Sequence, residues 1–383
     1  MKRRVTLSVC WLLVVPALYR PSALVAAKPA PAPVPAGKIL YVHYSGTPST
    51  PVYFEMNGDG SNKTQTASGV PADPRGIPSQ KTYFGHRWWL LNLTTPATQV
   101  TDLYATDGTR VVQLTAGGER DNGDGTETLV RYPYGAIWSN NGAATLSDTY
   151  IGFWGLRRIR DKTTKESIEV QHIFYRLDLS AWELETSGQA ALTPVFDGVF
   201  DTAPRLAPVL KTPVRAPSGF FGSAGACFSP DGTRLAFAAY YDNSDNGADL
   251  YVADISNVAT EGAASTTQAV KLFENAGTWG VRSVDWSRTD DPAQWRIAYV
   301  ANGHLYTVRP DNTGLRDVVP AGAYPDFVSW SPDDQHLAFR LETRQGLYYY
   351  YNIARVSAAG GSVVNLTSDT NKNETKALVG WRP

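Results

Sequence analysis

Cysteine is almost missing from this sequence: Cys10 and Cys227 are the only two among 383 residues. Cys10 lies in an N-terminal apolar stretch, too early in it for a lipoprotein acceptor. Cys227 is left alone, and one thiol makes no internal disulfide, so stability must come from packing. Cys227 stands in "GACF", where a small buried thiol is the expected role. Net charge is equally scarce, with 35 Lys and Arg against 36 Asp and Glu. That balance provides no bulk field for nucleic acid or an anionic membrane. Helical periodicity is the third shortage. After residue 40, no stretch of about ten residues keeps a 3.6-residue apolar period without Gly, Pro or β-branched interruption.

The one long apolar run is N-terminal. "MKRR" supplies a positive start, "VTLSVCWLLVVPALY" an apolar stretch broken by Pro16, and "LVAA" a small-residue end. The run falls short of the roughly 20 residues that span a bilayer, so it reads as an export signal. Residues 1–27 are the expected signal, cleaved after Ala27, and 28–38 a stiff Pro/Ala-rich spacer. The expected location is periplasmic or secreted, with no membrane span after cleavage.

Aromatics are abundant, 11 Trp and 20 Tyr, and Gly, Pro, Asn, Asp and Thr accompany them. Such lettering suits short strands and turns. It also repeats. "IWSNNG", "CFSPDG", "DWSRTD" and "SWSPDD" each precede a strand-like run: "YIGFWG", "RLAFAA", "RIAYVA" and "HLAFRL". A Tyr-bearing run and a short fourth segment follow, giving four strands per unit. "KILYVHY" with "PVYFEMN" begins a unit whose first strand is missing, and "ALVGWRP" at the C-terminus has that strand's lettering. "RWWLLNLT" and "DLYATDGTRVVQLT" belong to another, with "KTYFG" as its first strand. The expected fold is all-β: a six-bladed β-propeller over 39–383, of four-stranded antiparallel blades, closed by pairing of the C-terminal strand with the N-terminal blade. In "FSPDG", Phe228 is a wedge between sheets, while Pro230, Asp231 and Gly232 make a tight turn.

Phe228-Ser-Pro-Asp-Gly-Thr-Arg-Leu-Ala-Phe, Trp330-Ser-Pro-Asp-Asp and "MNGDGSN" resemble the WD-like propeller repeats of TolB-like proteins over nearly all of 39–383. The resemblance implies a propeller that binds a protein partner. TolB carries an α/β domain before its propeller, and here a short spacer takes that place. Blades of this kind also form the non-catalytic domains of prolyl-oligopeptidase-like peptidases.

Catalytic motifs are sparse, and no catalytic residue is assigned. "FFGSAG" around Ser223 lacks the first Gly of a nucleophile elbow. His43, His86, His172, His304 and His336 form no local zinc pair. "RDNGDGTE" and "DNSDNGAD" bunch oxygen ligands, making Asp121, Asp124, Asp242 and Asp245 weak calcium candidates that miss the EF-hand register. The same letters are ordinary solvated turns. No metal site and no other cofactor are expected.

Strand direction separates the loops. Connections from second to third strand, and from fourth to the next first strand, lie on one end of the sheets, called here the first face. The Ser-Pro-Asp turns lie on the second. Long loops crowd the first face, including "RRIRDKTTKE" and a Pro-rich insertion near 199–224. Elaborated loops on a rigid scaffold are where binding concentrates. Arg157, Arg158, Arg160, Phe220 and Phe221 are therefore the candidate binding residues. Two readings follow: an exported, non-catalytic, monomeric propeller binding a protein, peptide or cell-envelope component, or a propeller-fold carbohydrate-active enzyme, of polysaccharide lyase or glycosidase type, with an axial pocket.

Overall fold

The computed structural model describes residues 35–45, 50–66, 89–95, 100–106, 111–115, 117–138, 150–178, 206–212, 225–239, 247–255, 269–274, 280–345, 348–368 and 375–382. The expected export signal and most of the spacer lie outside these residues, as do Phe220, Phe221, Asp242 and Asp245.

The described strands form six antiparallel sheets. Sheet 1 joins the two ends of the chain: β1 (Lys38–Ser45), β2 (Thr50–Asn57) and β3 (Thr64–Gln65), with β24 (Thr375–Arg382) on the other side of β1. Ile39 lies opposite Trp381 and Tyr44 opposite Thr375, so the C-terminal strand pairs where its lettering predicts. Sheet 2 contains β4 (Trp89–Thr95), β5 (Val100–Thr106) and β6 (Val111–Gln113). Its expected first strand, "KTYFG", lies outside the described residues.

Sheet 3 departs from expectation. It has five strands: β7 (Gly118–Asp121), β8 (Thr126–Trp138), β9 (Tyr150–Asp161), β10 (Ser167–Asp178) and β11 (Leu206–Thr212). "GGERDNGDGTE" is not a loop but the β7–β8 hairpin, with Asp121 opposite Glu127. The outer strand β11 comes from within the stretch read as an insertion at 199–224. Pro208 obscured it; that residue sits opposite Tyr175, beside a register shift, and an outer strand with a bulge accepts a proline.

The last three sheets follow the repeat. Sheet 4 is β12 (Ala226–Phe228), β13 (Arg234–Ala239), β14 (Asp249–Asp254) and β15 (Ala269–Phe273). Sheet 5 is β16 (Ser283–Trp286), β17 (Ile297–Ala301), β18 (His304–Val308) and β19 (Arg316–Val319). Sheet 6 is β20 (Pro325–Trp330), β21 (His336–Gln345), β22 (Tyr348–Ser357) and β23 (Val364–Asn365). First strands stand side by side: β12 packs on β8 and β16, β16 on β20, and β20 on β24. Between them lie the fully buried wedges Phe228, Trp286, Trp330 and Trp381.

The repeated letters also define the turns. Ser229 Oγ accepts from the Arg234 amide at 2.9 Å and donates to Asp231 at 2.5 Å, while Asp231 takes the Thr233 amide. Gly232 supplies the positive φ, 71°. Ser331, Asp333 and His336 repeat these bonds. In the Gly232 position stands Asp334, at φ 56°, whose carboxylate takes the amides of Arg288 (2.6 Å) and Thr289 (2.7 Å) in the neighbouring sheet. Burial pushes its carboxyl above the ordinary range. The second face is thus a belt of internally bonded turns. The end of the spacer joins it: Ala36 carbonyl accepts from the Trp381 indole at 2.9 Å, and a Cβ on Gly58 would strike Pro35 and Trp381.

Candidate functional site

Among the described residues, two first-face hairpins are longer than their counterparts in sheets 4 and 5. β9 and β10 have 12 residues each and β21 and β22 ten each, against five or six for the corresponding strands of sheets 4 and 5. Both raise their tips above the same end of the sheets, and their chemistry differs.

The β9–β10 tip carries the basic run 157–166. Strand alternation puts Arg158 and Arg160 on one side of β9 and Arg157 on the other. All three are half-buried. Arg160 is committed internally: its Nε bonds Glu127, and its Nη2 bonds Glu119 at 2.7 Å. Lys165 holds both Glu127 oxygens at 2.8 and 2.9 Å, and Lys162 bonds Asp121. Lys165 and Arg160 hold the Glu127 carboxyl below its ordinary range. The cations of one hairpin therefore neutralise the acids of the other. The calcium candidates here are used in the same way. Asp121 is held by Lys162 and the Gly123 amide, and Asp124 by the Thr126 hydroxyl and amide. Among the described residues, no three His, Cys, Asp or Glu converge as a metal site.

The β21–β22 tip is different, and the repeat-based reading passed over it. Its hub is Arg340, near the middle of β21, with Phe327 4.4 Å and Tyr351 4.8 Å from its guanidinium carbon. Arg340 Nη2 bonds Asp326 Oδ2 at 2.5 Å, and Asp326 Oδ1 accepts from the Phe327 amide at 3.0 Å. A desolvated guanidinium between two rings is a strong cation–π arrangement. Burial pushes the Tyr351 phenol up.

The backbone beneath this hub is strained. Tyr324 and Phe327 hold φ of 40° and 53°, where a bulky residue is an outlier, and the register slips between Asp326 and Ser329. Phe327 is thereby turned against the patch formed by Leu40, Val42, Tyr44, Tyr53 and Ala377 of sheet 1. Strain maintained by surrounding contacts clusters at ligand-binding positions. On the same hairpin Tyr349 is 44 % exposed, with Arg344 5.7 Å over its ring, Tyr348 is 50 % exposed on the other face of the strand, and Tyr324, at the start of the strained segment, is 43 % exposed. The sequence held a signal: four consecutive tyrosines, 348–351, put aromatic rings on both faces of a strand.

Chemically, the cluster can stack, donate and accept hydrogen bonds, and oppose charge. Two carboxylates approach it: Asp326, already paired with Arg340, and Glu342, which lies opposite Tyr351 on the neighbouring strand.

No family model and no curated protein matches the chain. Among solved structures, it is similar to Kuenenia stuttgartiensis hydrazine synthase at 14% identity and TM-score 0.52, over 91% of this chain and 47% of that one. The chain thus spans about half the length of that protein. A putative TolB from Agrobacterium tumefaciens aligns at 14% identity and TM-score 0.41, over 91% and 99% of the two chains. The propeller domain of the Pyrococcus furiosus Trilobed protease aligns at 10% identity and TM-score 0.35, over 88% and 96%. These identities concern fold alone. With four-stranded meanders set side by side through their first strands, the chain has the architecture of a β-propeller.

Proposed function

We propose that this protein is an exported, non-catalytic propeller that binds a protein, peptide or cell-envelope component through its first face. In this reading the six sheets are six blades, with sheet 1 completing the ring against sheet 2, and the mature monomer begins near Lys28. The observation that carries the reading is the Arg340 hub, with Phe327 and Tyr351 against its guanidinium, on a hairpin that also exposes Tyr349 on the same face of the strand and Tyr348 on the other. Exposed aromatic rings around an ordered arginine are the composition of interface hot spots. Arg160 takes a structural part, since it is consumed by Glu119 and Glu127, while Arg157 and Arg158 stay with the binding face.

The test is affinity capture from a cell-envelope extract with the intact protein and with a Tyr348→Ser/Tyr349→Ser double variant. The variant should lose the specific partner while keeping its melting temperature within a few degrees, because both rings are exposed. Equal recovery by both proteins discards the first-face site. Export is tested separately, by N-terminal sequencing of the protein from the extracytoplasmic fraction.

A further inference from the structure

Among the described residues, no strand pairs with the outer edge of β22 at Tyr349 and Tyr351. In sheet 6, β23 covers only Ala354 and Arg355 of this ten-residue strand. One further rung follows: Leu366 donates to the Ile353 carbonyl at 2.8 Å, and Ile353 donates to Thr367 Oγ1 at 3.0 Å. Asn365 Oδ1 captures the amides of Thr367 and Ser368, and Ser368 adopts φ 41°. Backbone groups alternate in direction along a strand, so those of Tyr351 and Tyr349 point outward like those of Ile353. Among the described residues, no strand pairs with them. Their inward neighbours Tyr350 and Tyr348 face β21, opposite Thr343 and Gln345.

An open strand edge is a template for one kind of ligand. Two outward residues present two N–H donors and two carbonyl acceptors in a fixed alternation, matched by an extended polypeptide and not by a glycan or a lipid headgroup. Tyr349 and Tyr351 flank that edge on one face and Tyr348 and Tyr350 on the other, so an added strand would meet rings above and below. Aromatic rings pair favourably across strands with aromatic and β-branched side chains.

We propose that the Tyr348–Tyr351 edge of β22 receives an extended, proline-free peptide segment, rich in β-branched or aromatic residues, as an additional outer strand of sheet 6. The proposal rests on the first-face binding reading and specifies its ligand and mode of binding.

The probe is a displayed library of random decapeptides, selected on the intact protein. Selected peptides should be β-branched and aromatic and should bind a Tyr349→Pro/Tyr351→Pro variant at least about tenfold more weakly. Of the backbone groups, those prolines remove only the outward N–H groups and leave those paired with β21 in place; a Tyr349→Ala/Tyr351→Ala variant, which loses the same rings and keeps the N–H groups, should bind more tightly than the proline variant. Should the proline variant fail to fold, the selected peptide is N-methylated at alternate residues instead. One methylated register should lose binding and the other keep it. Failure to select any peptide, equal binding to both proteins, or indifference to methylation in both registers overturns the proposal. If the proline variant still captures the envelope partner in full, the strand-addition mode fails while first-face binding stands. If the Tyr348→Ser/Tyr349→Ser variant also captures it, both fail.

Discussion

Trp381 donates its backbone amide to Ser329 Oγ at 3.1 Å, and Trp330 donates its own to Asp285 Oδ2 at 2.9 Å. In each case the residue preceding one sheet's wedge tryptophan holds the amide of the next sheet's wedge. This relation joins sheet 5 to sheet 6 and sheet 6 to the C-terminal strand of sheet 1. Truncating Trp381 to Ala should cost about 3–5 kcal/mol, the usual range for a buried tryptophan. Ser329→Ala should cost about 1 kcal/mol, through one buried hydrogen bond. Urea unfolding of both variants checks the order.

Asp285 is fully buried and does more than Ser329. It also accepts from the Trp286 amide and pairs with Arg288 at 2.8 Å. Asp285→Ala would take the carboxylate from Arg288 Nη2 and from the amides of Trp286 and Trp330, so a loss of about 3–5 kcal/mol is expected. A loss under about 1 kcal/mol in the same urea experiment would show that the latch is redundant.

Two glycines mark close approaches of different kinds. A Cβ on Gly152 would meet the ring tips of Phe174 and Phe228, side-chain atoms that a small χ1 shift can withdraw, whereas one on Gly280 would strike the backbone of Gly247 and Ala248. Gly280→Ala should therefore destabilise more than Gly152→Ala, with the latter costing about 1–3 kcal/mol as an overpacked core. Thermal melts of the two variants decide, and the reverse order refutes the argument.

Tyr324 should show a conflict between stability and binding. Its ring is exposed and its φ is 40°, so Tyr324→Gly should raise stability by about 1 kcal/mol through relief of left-handed strain. The same change removes a first-face ring and should weaken partner capture. A variant that gains stability and loses nothing in capture would remove Tyr324 from the site.

Turn aspartates set the acid limb. The Ser61 hydroxyl and amide hold Asp59 below the ordinary carboxyl value of 3.8, and the Thr126 hydroxyl and amide do the same for Asp124. The amides of Thr164 and Thr163 depress Asp161, and the Thr313 hydroxyl and amide depress Asp311. A carboxyl depressed in the folded state stabilises fully above its unfolded value, and that gain is lost as pH falls through the folded value. The urea midpoint should hold above about pH 5 and fall between about pH 4 and 2. A variant carrying Asn at all four positions should fall less steeply.

Much of this was legible in the letters. The aromatic-Ser units at Phe228, Trp286 and Trp330 stated where first strands end, because a wedge followed by a side-chain-capped turn is a local device. The terminal lettering around Trp381 matched those wedges and predicted its partner, Ile39. Sheet 3 was harder. Pro208 disguised an outer strand as an insertion, and acidic turn letters disguised the β7–β8 hairpin as a loop.

The sequence by itself determined the strand repeat and the turn chemistry. Each depends on residues within a few positions of one another. Only the tertiary structure decided which charges are spent and which rings are left over. Arg160 meets Glu127 and Glu119 across 33 and 41 residues, while Arg340 meets Phe327 and Tyr351 through a strained bend. Such partners are chosen by strand register and by the stacking of sheets, and neither is written in any short run of residues.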